Sequence, residues 1–309
     1  MKPRMISISA LLVVLAPAAF ALNSRSAVSV DGLDTNPCTV ASPCRSFTTA
    51  IPATAPGGEV IALTTAGYGP FTVTNTMTIS GAPGVHAAIT ATSGDGIAVN
   101  AGSTDSVILR NLVLIGAGGF AGVNYNLSTT AELSVIGCLI RGFTHGIAVN
   151  AFVAAKAFVE DCVLLDNSMG IYLAGDFTGA SILNGTVTNS SMIGNDFGIY
   201  ITRAKVVVAH NTIAYSGTTG VNMDLSGGTG LAAYATLESN TIVNNPTGIS
   251  VNATGVSNQA WVALSQNVVA FSNTQAVVKS GAGAVFTFNN NRLVGNAIDG
   301  GPFTPEAAK

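Results

Sequence analysis

The chain has 309 residues, a formal net charge of −3 and only 9% charged residues. This composition excludes proteins that use a basic face to bind nucleic-acid phosphates, so no nucleic-acid partner is expected. It also excludes a disordered chain, because apolar residues make up 48% of the sequence and can supply a large core.

The first 21 residues have the pattern of an export signal. Lys2 and Arg4 form a positive segment, residues 6–15 are apolar, and residues 19–21 read Ala-Phe-Ala, a typical cleavage motif. The pattern predicts a signal peptide over residues 1–21 and a secreted or periplasmic bacterial protein. The alternative is an uncleaved anchor, but the apolar stretch is too short to span a bilayer. No second run of that length follows, so no membrane span is expected in the mature chain.

Residues 22–57 are predicted to form an N-terminal cap region. Cys38 and Cys44 lie six residues apart in "NPCTVASPC", a spacing that indicates a disulfide closing a small loop in an oxidising compartment. Zinc binding is the alternative there, although no His or second Cys pair stands nearby.

The segment that follows indicates a helix and then the first strands. "PCRSFTTAIPA" (43–53) predicts a short helix over the N-terminal end, stopped by Pro52. "GGEVIAL" (57–63) is expected to begin the sheet, and residues 68–80 to supply further early strands.

An internal repeat dominates the rest of the chain. A glycine followed by a short strand-like stretch recurs every 22 to 28 residues, and a final unit begins with alanine. These anchor positions are Gly96, Gly122, Gly146, Gly170, Gly198, Gly220, Gly248 and Ala276. Repetition at this period indicates a solenoid, in which each unit packs on its neighbours.

The residues after each anchor predict which side chains point inward. The first position is always Ile or Val, and the third is apolar until Lys279 in the last unit; the second position is mixed and mostly polar. Because side chains alternate along a strand, the first and third positions are expected to face the core. The first-position residues are Ile97, Val123, Ile147, Ile171, Ile199, Val221, Ile249 and Val277.

A second column of residues recurs inside each unit and predicts a turn. All its members are residue types that tolerate a left-handed backbone, as a sharp turn between strands requires. They are Asn111, Gly137, Asp161, Asn189, Asn211, Asn240, Asn267 and Asn291.

The repeat unit combines short strands with sharp turns and has no helical segment. This pattern predicts an all-β fold, a single-stranded parallel β-helix with a short N-terminal cap helix. A leucine-rich repeat would need several leucines and a helical return, and a β-sandwich would need hairpins. The β-helix is predicted over residues 58–300, with a C-terminal tail at 301–309.

Several segments resemble a known family. "DGLDTNPCTVASPCRSFTTAI", "GGEVIAL", "GYGPFTVTNTMTI" and the ending "NNNRLVGNAIDG" are similar to secreted bacterial right-handed parallel β-helix proteins of the pectin-lyase-like superfamily. The resemblance implies a right-handed solenoid and secretion. It implies no activity, because one fold hosts many functions.

Catalysis is the first functional hypothesis. His145 and the Arg203-x-Lys205 pair resemble two parts of the polygalacturonase site, but the aspartates that this site needs are missing. A lyase would need carboxylates to hold calcium, and Asp161 and Asp166, with Glu160 beside them, form only a weak set. A polysaccharide lyase or glycoside hydrolase acting on an acidic polysaccharide therefore stays an alternative with unknown catalytic residues. Calcium is considered only under that alternative; otherwise no cofactor or metal is expected.

A structural or glycan-binding module is the favoured interpretation. Long insertions at 174–186, 224–236 and 253–263 are expected to stack on one side of the solenoid, a typical place for partner binding. We expect a monomer that binds an extracellular polysaccharide, with Arg203 and Lys205 at the charged edge of the scaffold. Tyr172 and Tyr200 are expected to face outward on neighbouring turns, and the alternative for them is a stabilising cross-strand pair. The candidate glycan-binding residues are Tyr172, Tyr200, Asn222, Arg203, Lys205 and Trp261.

Cys138 and Cys162 take the same place in consecutive units. Stacked positions lie about 4.8 Å apart, close enough for a disulfide, so the sequence leaves open whether these cysteines are bonded or free.

Overall fold

The structure, a computed structural model, describes residues 22–102, 104–127, 132–151, 155–176 and 183–305. Within these residues the strands form three parallel sheets of 12, 9 and 10 strands, here named sheets A, B and C. The chain visits sheet A, then C, then B, and returns to A one turn further along. This is the predicted right-handed parallel β-helix, and sequence-neighbouring strands lie in different sheets.

The strands of the three sheets have the following bounds. Sheet A contains β1 (Asn23–Val28), β2 (Thr54–Ala62), β5 (Met77–Gly81), β8 (Ser106–Arg110), β11 (Glu132–Ile136), β14 (Lys156–Glu160), β17 (Leu183–Thr188), β20 (Ala204–Ala209), β23 (Ala232–Glu238), β26 (Gln259–Ser265), β29 (Ala284–Thr287) and β31 (Thr304–Pro305). Sheet B contains β4 (Phe71–Val73), β7 (Ile97–Val99), β10 (Ala121–Leu127), β13 (His145–Ala151), β16 (Met169–Ala174), β19 (Phe197–Thr202), β22 (Thr219–Asp224), β25 (Thr247–Ala253) and β28 (Gln275–Gly281). Sheet C contains β3 (Ala66–Gly67), β6 (Ala87–Ala91), β9 (Leu112–Gly116), β12 (Leu139–Arg141), β15 (Val163–Leu165), β18 (Ser191–Ile193), β21 (Thr212–Ala214), β24 (Thr241–Val243), β27 (Val268–Ala270) and β30 (Arg292–Val294).

The inward positions of sheet B line the core, as predicted. Ile147, Ile171 and Ile199 are paired in register on consecutive turns and are each fully buried. Burying one such side chain contributes roughly 1.5–3 kcal/mol relative to leaving it exposed. The stacked aliphatic column is therefore a main source of stability, and Lys279 leaves the core at its end.

The anchor glycines are required by close approach of neighbouring turns. A Cβ atom built on Gly198 would lie 2.6 Å from the carbonyl oxygen of Gly220 and 2.6 Å from Cγ2 of Ile213. No side chain fits there without moving the backbone of the next turn.

The predicted turn column combines two different positions. Asn111, Gly137, Asp161 and Asn189 have the expected left-handed backbone, but in the next three turns the left-handed residues are His210, Ser239 and Gln266. The prediction was therefore wrong by one residue for Asn211, Asn240 and Asn267, and it was also wrong for Asn291, since the left-handed residue of that turn is Asn289. Asparagine suits both a left-handed turn and the buried position that follows it, so residue type alone does not separate them.

The residues after this turn form a buried polar ladder between sheets A and C. Asn240 donates from Nδ2 to the oxygens of Val208 (2.8 Å) and Asn267 (2.9 Å). Its own Oδ1 accepts from the backbone N–H and the Nδ2 of Asn211. Each asparagine side chain thus hydrogen-bonds to polar groups of the turn that would otherwise be buried without a partner. The ladder comprises Cys138, Cys162, Ser190, Asn211, Asn240, Asn267 and Asn291.

The position of Cys138 and Cys162 in this ladder accounts for the burial of their thiols and for the carbonyl oxygens that the thiols contact. Both thiols are free and buried, with 2% and 1% of their surface exposed. The Cys162 thiol lies 3.4 Å from the carbonyl oxygen of Val135 and 3.2 Å from that of Glu160, the places that an asparagine Nδ2 fills elsewhere. A hydrogen bond to Cys162 and burial raise the pKa of the Cys138 thiol.

The N-terminal end is covered as predicted. Helix α1 (Phe47–Ala50) is capped by Ser46, whose Oγ accepts from the N–H of Thr49, and Phe47 packs against Tyr68 and Phe71. Cys38 and Cys44 form the predicted disulfide, with 4.6 Å between their Cα atoms. Strand β1, which the sequence did not indicate, adds a first strand to sheet A beside β2.

The predicted signal peptide at residues 1–21 and the last four residues, 306–309, lie outside the described residues. Across the part of the chain that the structure describes, no helix is both long and apolar enough to cross a membrane.

Candidate functional site

The predicted binding residues divide between two surfaces on different sheets. Tyr172, Tyr200 and Asn222 are stacked on consecutive strands of sheet B, whereas Lys205 and Trp261 lie on sheet A. Arg203 stands at the corner that joins these sheets, between β19 and β20. The solenoid therefore separates the Arg203 and Lys205 side chains instead of bringing them to one ligand.

The sheet A groove is lined by side chains of five neighbouring strands. It has a volume of about 480 Å³. The backbone register places Lys205, Tyr234 and Trp261 directly beside one another on β20, β23 and β26. Side chains that line this groove include those of Asn184, Lys205, Val207, Tyr234, Trp261 and Phe286.

Aromatic rings run along this groove. The ring centroids of Tyr234 and Trp261 are 5.2 Å apart at an interplanar angle of 82°, and those of Trp261 and Phe286 are 6.0 Å apart at 72°. Edge-to-face contacts of this kind are the favoured geometry of aromatic pairs. Trp261 remains 44% exposed, so the contacts orient its ring without covering it completely.

The groove carries the positive charge of Lys205. Lys205 Nζ lies 5.7 Å from the centroid of the Tyr234 ring, a cation–π distance. No Asp or Glu is among the described residues that line the groove. Lys156, one strand further along, pairs with Glu132 at 3.5 Å.

The sheet B pocket is smaller and lies on the outward face of sheet B. Its volume is about 290 Å³, and the loop after β22 closes one side. A row of rings crosses it: Phe120 to His145 at 4.9 Å, His145 to Tyr172 at 5.4 Å, and Tyr172 to Tyr200 at 5.6 Å between centroids. The predicted tyrosine pair is therefore part of a longer row that includes an imidazole.

Asp224 ties the polar groups of the sheet B pocket together. Its Oδ2 accepts from the Tyr200 hydroxyl at 2.7 Å, and its Oδ1 accepts from Asn252 Nδ2 at 2.8 Å. The N–H and hydroxyl of Ser226 also donate to this carboxylate. Burial, together with the bond to Asp224, raises the pKa of Tyr200. The phenol and the carboxylate are thus already engaged.

Arg203 is not at the exposed edge of the scaffold, which corrects the prediction from sequence. Only 9% of its surface is exposed, and its backbone is left-handed, with φ of 52°. Its Nε donates to the oxygen of Gly175 at 2.9 Å, and its Nη1 donates to Thr202 Oγ1 at 3.1 Å. The guanidinium therefore lies over the corner between β19 and β20 and supplies a hydrogen bond to the carbonyl oxygen of Gly175.

His145 holds an unsatisfied nitrogen at the other side of the sheet B pocket. Its Nδ1 is buried and has no hydrogen-bond partner among the described residues. Burial lowers the pKa of His145, and the charge of Asp95 opposes this shift. Met169 is its in-register neighbour on β16 and lines the same pocket.

The family model described as "Periplasmic copper-binding protein (NosD)" matches residues 74–305, which is most of the chain. The chain belongs to the NosD family. This family is periplasmic, and the Cys38–Cys44 disulfide of the chain fits an extracytoplasmic location. The predicted secreted or periplasmic location is confirmed.

Two solved structures share the fold of this NosD-family chain. A pectate lyase, Pel9A, matches with a TM-score of 0.66 and 11% identity, covering 94% of this chain and 80% of that one. A rhamnogalacturonan lyase matches with a TM-score of 0.52 and 9% identity, covering 81% and 75%. No curated protein matches. At these identities the likeness confirms the pectin-lyase-like fold and nothing about activity.

The acidic residues considered for calcium do not gather in the NosD-family chain. Asp161 and Asp166 take left-handed turn positions, with φ of 53° and 52°, at the two ends of β15. Among the described residues, no group of three or more His, Cys, Asp or Glu side chains is placed to hold a metal ion.

The groove combines Lys205 and Trp261, which are among the predicted glycan-binding residues, with Tyr234 and Phe286, which are not. Tyr234 and Trp261 were assigned to insertions, but they lie within strands β23 and β26. Phe286 was missed altogether, because its diagonal contact with Trp261 depends on the register between β26 and β29. Phe177, also assigned to an insertion, lies outside the described residues.

Proposed function

We propose that this NosD-family chain is a periplasmic β-helix scaffold that binds a glycan along the sheet A groove. The observation that carries the proposal is the row of Tyr234, Trp261 and Phe286, in which Trp261 stays 44% exposed within a groove. Exposed aromatic clusters on a soluble domain commonly mark binding surfaces.

The chemistry of the groove suits a sugar chain. Aromatic rings offer flat apolar faces to the C–H groups of a pyranose, and their neighbours fix their orientation in advance. Lys205 and Asn184, on adjacent strands, place polar groups where sugar hydroxyls could bind. Since the lining strands stack along the solenoid axis, an extended glycan would run across successive strands.

Trp261→Ala is expected to weaken glycan binding at least about 10-fold, because truncating a central aromatic hot spot costs about 2 kcal/mol or more and every 1.4 kcal/mol is tenfold in Kd. The protein would be screened against an oligosaccharide array, and the Kd of the best ligand measured by calorimetry. Tyr172→Ala is the matched control, since it removes a ring of the sheet B pocket and should leave the Kd unchanged.

The same assay decides between the alternatives. Loss of binding in Tyr172→Ala but not in Trp261→Ala would move the site to the sheet B pocket. Release of reducing or unsaturated ends from a polysaccharide would instead favour the lyase or hydrolase alternative. Failure to bind any glycan would overturn the proposal.

Copper binding is a second candidate function. The description of the family supports it, and so does Nδ1 of His145, which is buried and has no hydrogen-bond partner within the described ranges. Because no three His, Cys, Asp or Glu side chains group together in the described ranges, copper would have few ligands here. Imidazole and thioether donors suit Cu(I). The residues present therefore fit Cu(I) better than a cation that needs several oxygen ligands.

Anaerobic titration with Cu(I), in competition with a chromophoric Cu(I) chelator, tests this candidate. We expect one equivalent of Cu(I) to bind to the mature protein. If the protein takes no copper from the chelator, copper binding is contradicted. The glycan proposal does not depend on this result.

A further inference from the structure

We propose that the ligand of the sheet A groove is a mostly neutral glycan with a single acidic group, which binds at Lys205. A homopolymer of uronic acid is the class of glycan that the groove disfavours. This inference rests on the glycan-binding function proposed above and names the class of glycan that the groove selects.

The spacing of the strands sets how many sugars the groove can hold. In-register pairs on β17, β20, β23, β26 and β29 join Asn184, Lys205, Tyr234, Trp261 and Ala284. Neighbouring strands lie about 4.8 Å apart, so these five strands span about 19 Å. One pyranose lengthens an extended glycan by nearly one strand spacing. The groove therefore places about one sugar on each strand.

The outward side chains give successive sugars different surroundings. Lys205 is the only charged residue among the described residues that line the groove. The rings of Tyr234 and Trp261 follow it on the next two strands, and the Phe286 ring contacts that of Trp261 from the strand after. The lining thus offers apolar ring faces to most of the sugars and a cation to one of them.

Lys205 is available to an acidic group of a ligand. Its side chain is exposed, and its Nζ lies 5.7 Å from the centroid of the Tyr234 ring. It forms no ion pair with a described residue, whereas Lys156, two strands away in sheet A, pairs with Glu132. An acidic group of a glycan could therefore approach Lys205 without displacing a carboxylate of the protein.

The charge of this part of sheet A disfavours a polyanion. From β11 to β29 its strands carry two lysines and three glutamates, a net charge of −1: Lys156, Lys205, Glu132, Glu160 and Glu238. A polyuronate would bring about one carboxylate to each strand, and most of these would face aromatic rings instead of Lys205. The faces of the rings are themselves negative, and a carboxylate that loses water without gaining a partner is costly.

The test uses matched oligosaccharides of equal length. Oligomers of xylan, glucan and mannan would be compared with the same oligomers bearing one uronic acid substituent, and with homo-oligomers of galacturonic and mannuronic acid. In the series that binds best, we expect the singly acidic member to bind about 2- to 5-fold more tightly than the neutral one, the range of an exposed ion pair. The polyuronates should bind at least about 10-fold more weakly. Polyuronates as the tightest ligands would overturn the inference and leave the glycan-binding function standing.

Lys205→Gln tests where the acidic group binds. We expect the ratio of the two Kd values, neutral to singly acidic, to fall to about one in this variant, and to fall in the wild type as the ionic strength rises. Lys156→Gln is the matched control and should keep the ratio of the wild type, and circular dichroism confirms that both variants are folded.

Two results would overturn the assignment of Lys205. One is an unchanged ratio in Lys205→Gln, and the other is equal binding of neutral and singly acidic oligomers by the wild type. Failure to bind any oligomer would be a different result, because it would contradict the glycan-binding function itself and the inference with it.

Discussion

Replacing Asn240 with leucine is expected to lower the free energy of unfolding by at least about 3 kcal/mol. The leucine fills the same place but cannot donate to the oxygens of Val208 and Asn267 or accept from the N–H of Asn211. Each buried group left unpaired costs roughly 1–3 kcal/mol. Urea unfolding followed by circular dichroism measures the loss, and failure to accumulate as a folded protein is the extreme form of the same result.

Asn222→Leu is the matched control for this prediction. Asn222 is an asparagine at an outward position of β22, partly exposed and outside the ladder. Its replacement should change the free energy of unfolding by no more than about 0.5 kcal/mol. Equal effects of the two substitutions would show that the ladder adds no special stability.

Gly198→Ala is expected to destabilise the protein by about 1–3 kcal/mol, the usual cost of forcing extra volume into a packed interior. The added Cβ would meet the carbonyl oxygen of Gly220 and a methyl group of Ile213, each at 2.6 Å. Neither can move away easily, because one is backbone and the other belongs to a fully buried side chain. The thermal midpoint and the urea midpoint should both fall.

Gly67→Ala is the control for the anchor glycine. A Cβ built on Gly67 meets no atom within 4 Å, and its backbone needs no left-handed angle. Alanine there should be neutral or slightly stabilising, since it reduces the entropy of the unfolded chain. Tolerance of alanine at both sites would mean that adjacent turns are not held as closely as the structure shows.

The core of the solenoid was predictable because strand alternation is a local property. Ile147, Ile171 and Ile199 could be placed inside from the residues on either side of them. The disulfide between Cys38 and Cys44 was predictable for a similar reason, since six residues of sequence hold both partners. The cap helix was indicated by its own segment and by Pro52 behind it.

The functional surfaces were less predictable because they depend on corners and on register. Arg203 and Lys205 are two residues apart, a spacing that would put them on one face of a continuous strand. A corner falls at Arg203, so one side chain folds back over it and the other joins sheet A. Phe286 lies 25 residues beyond Trp261 in the sequence, and only the pairing of β26 with β29 brings their rings together.

The amino-acid sequence by itself determined the repeat, the alternation of buried and outward side chains, the glycines at each turn and the extracytoplasmic location of the protein. These features follow from the chemistry of single residues and their near neighbours. Tertiary structure alone decided which asparagines form the buried ladder, that Cys138 and Cys162 belong to it, and that two separate surfaces carry the aromatic rings. The physical reason is that these features arise from stacking between turns, where a shift of one residue at a corner redirects every side chain that follows.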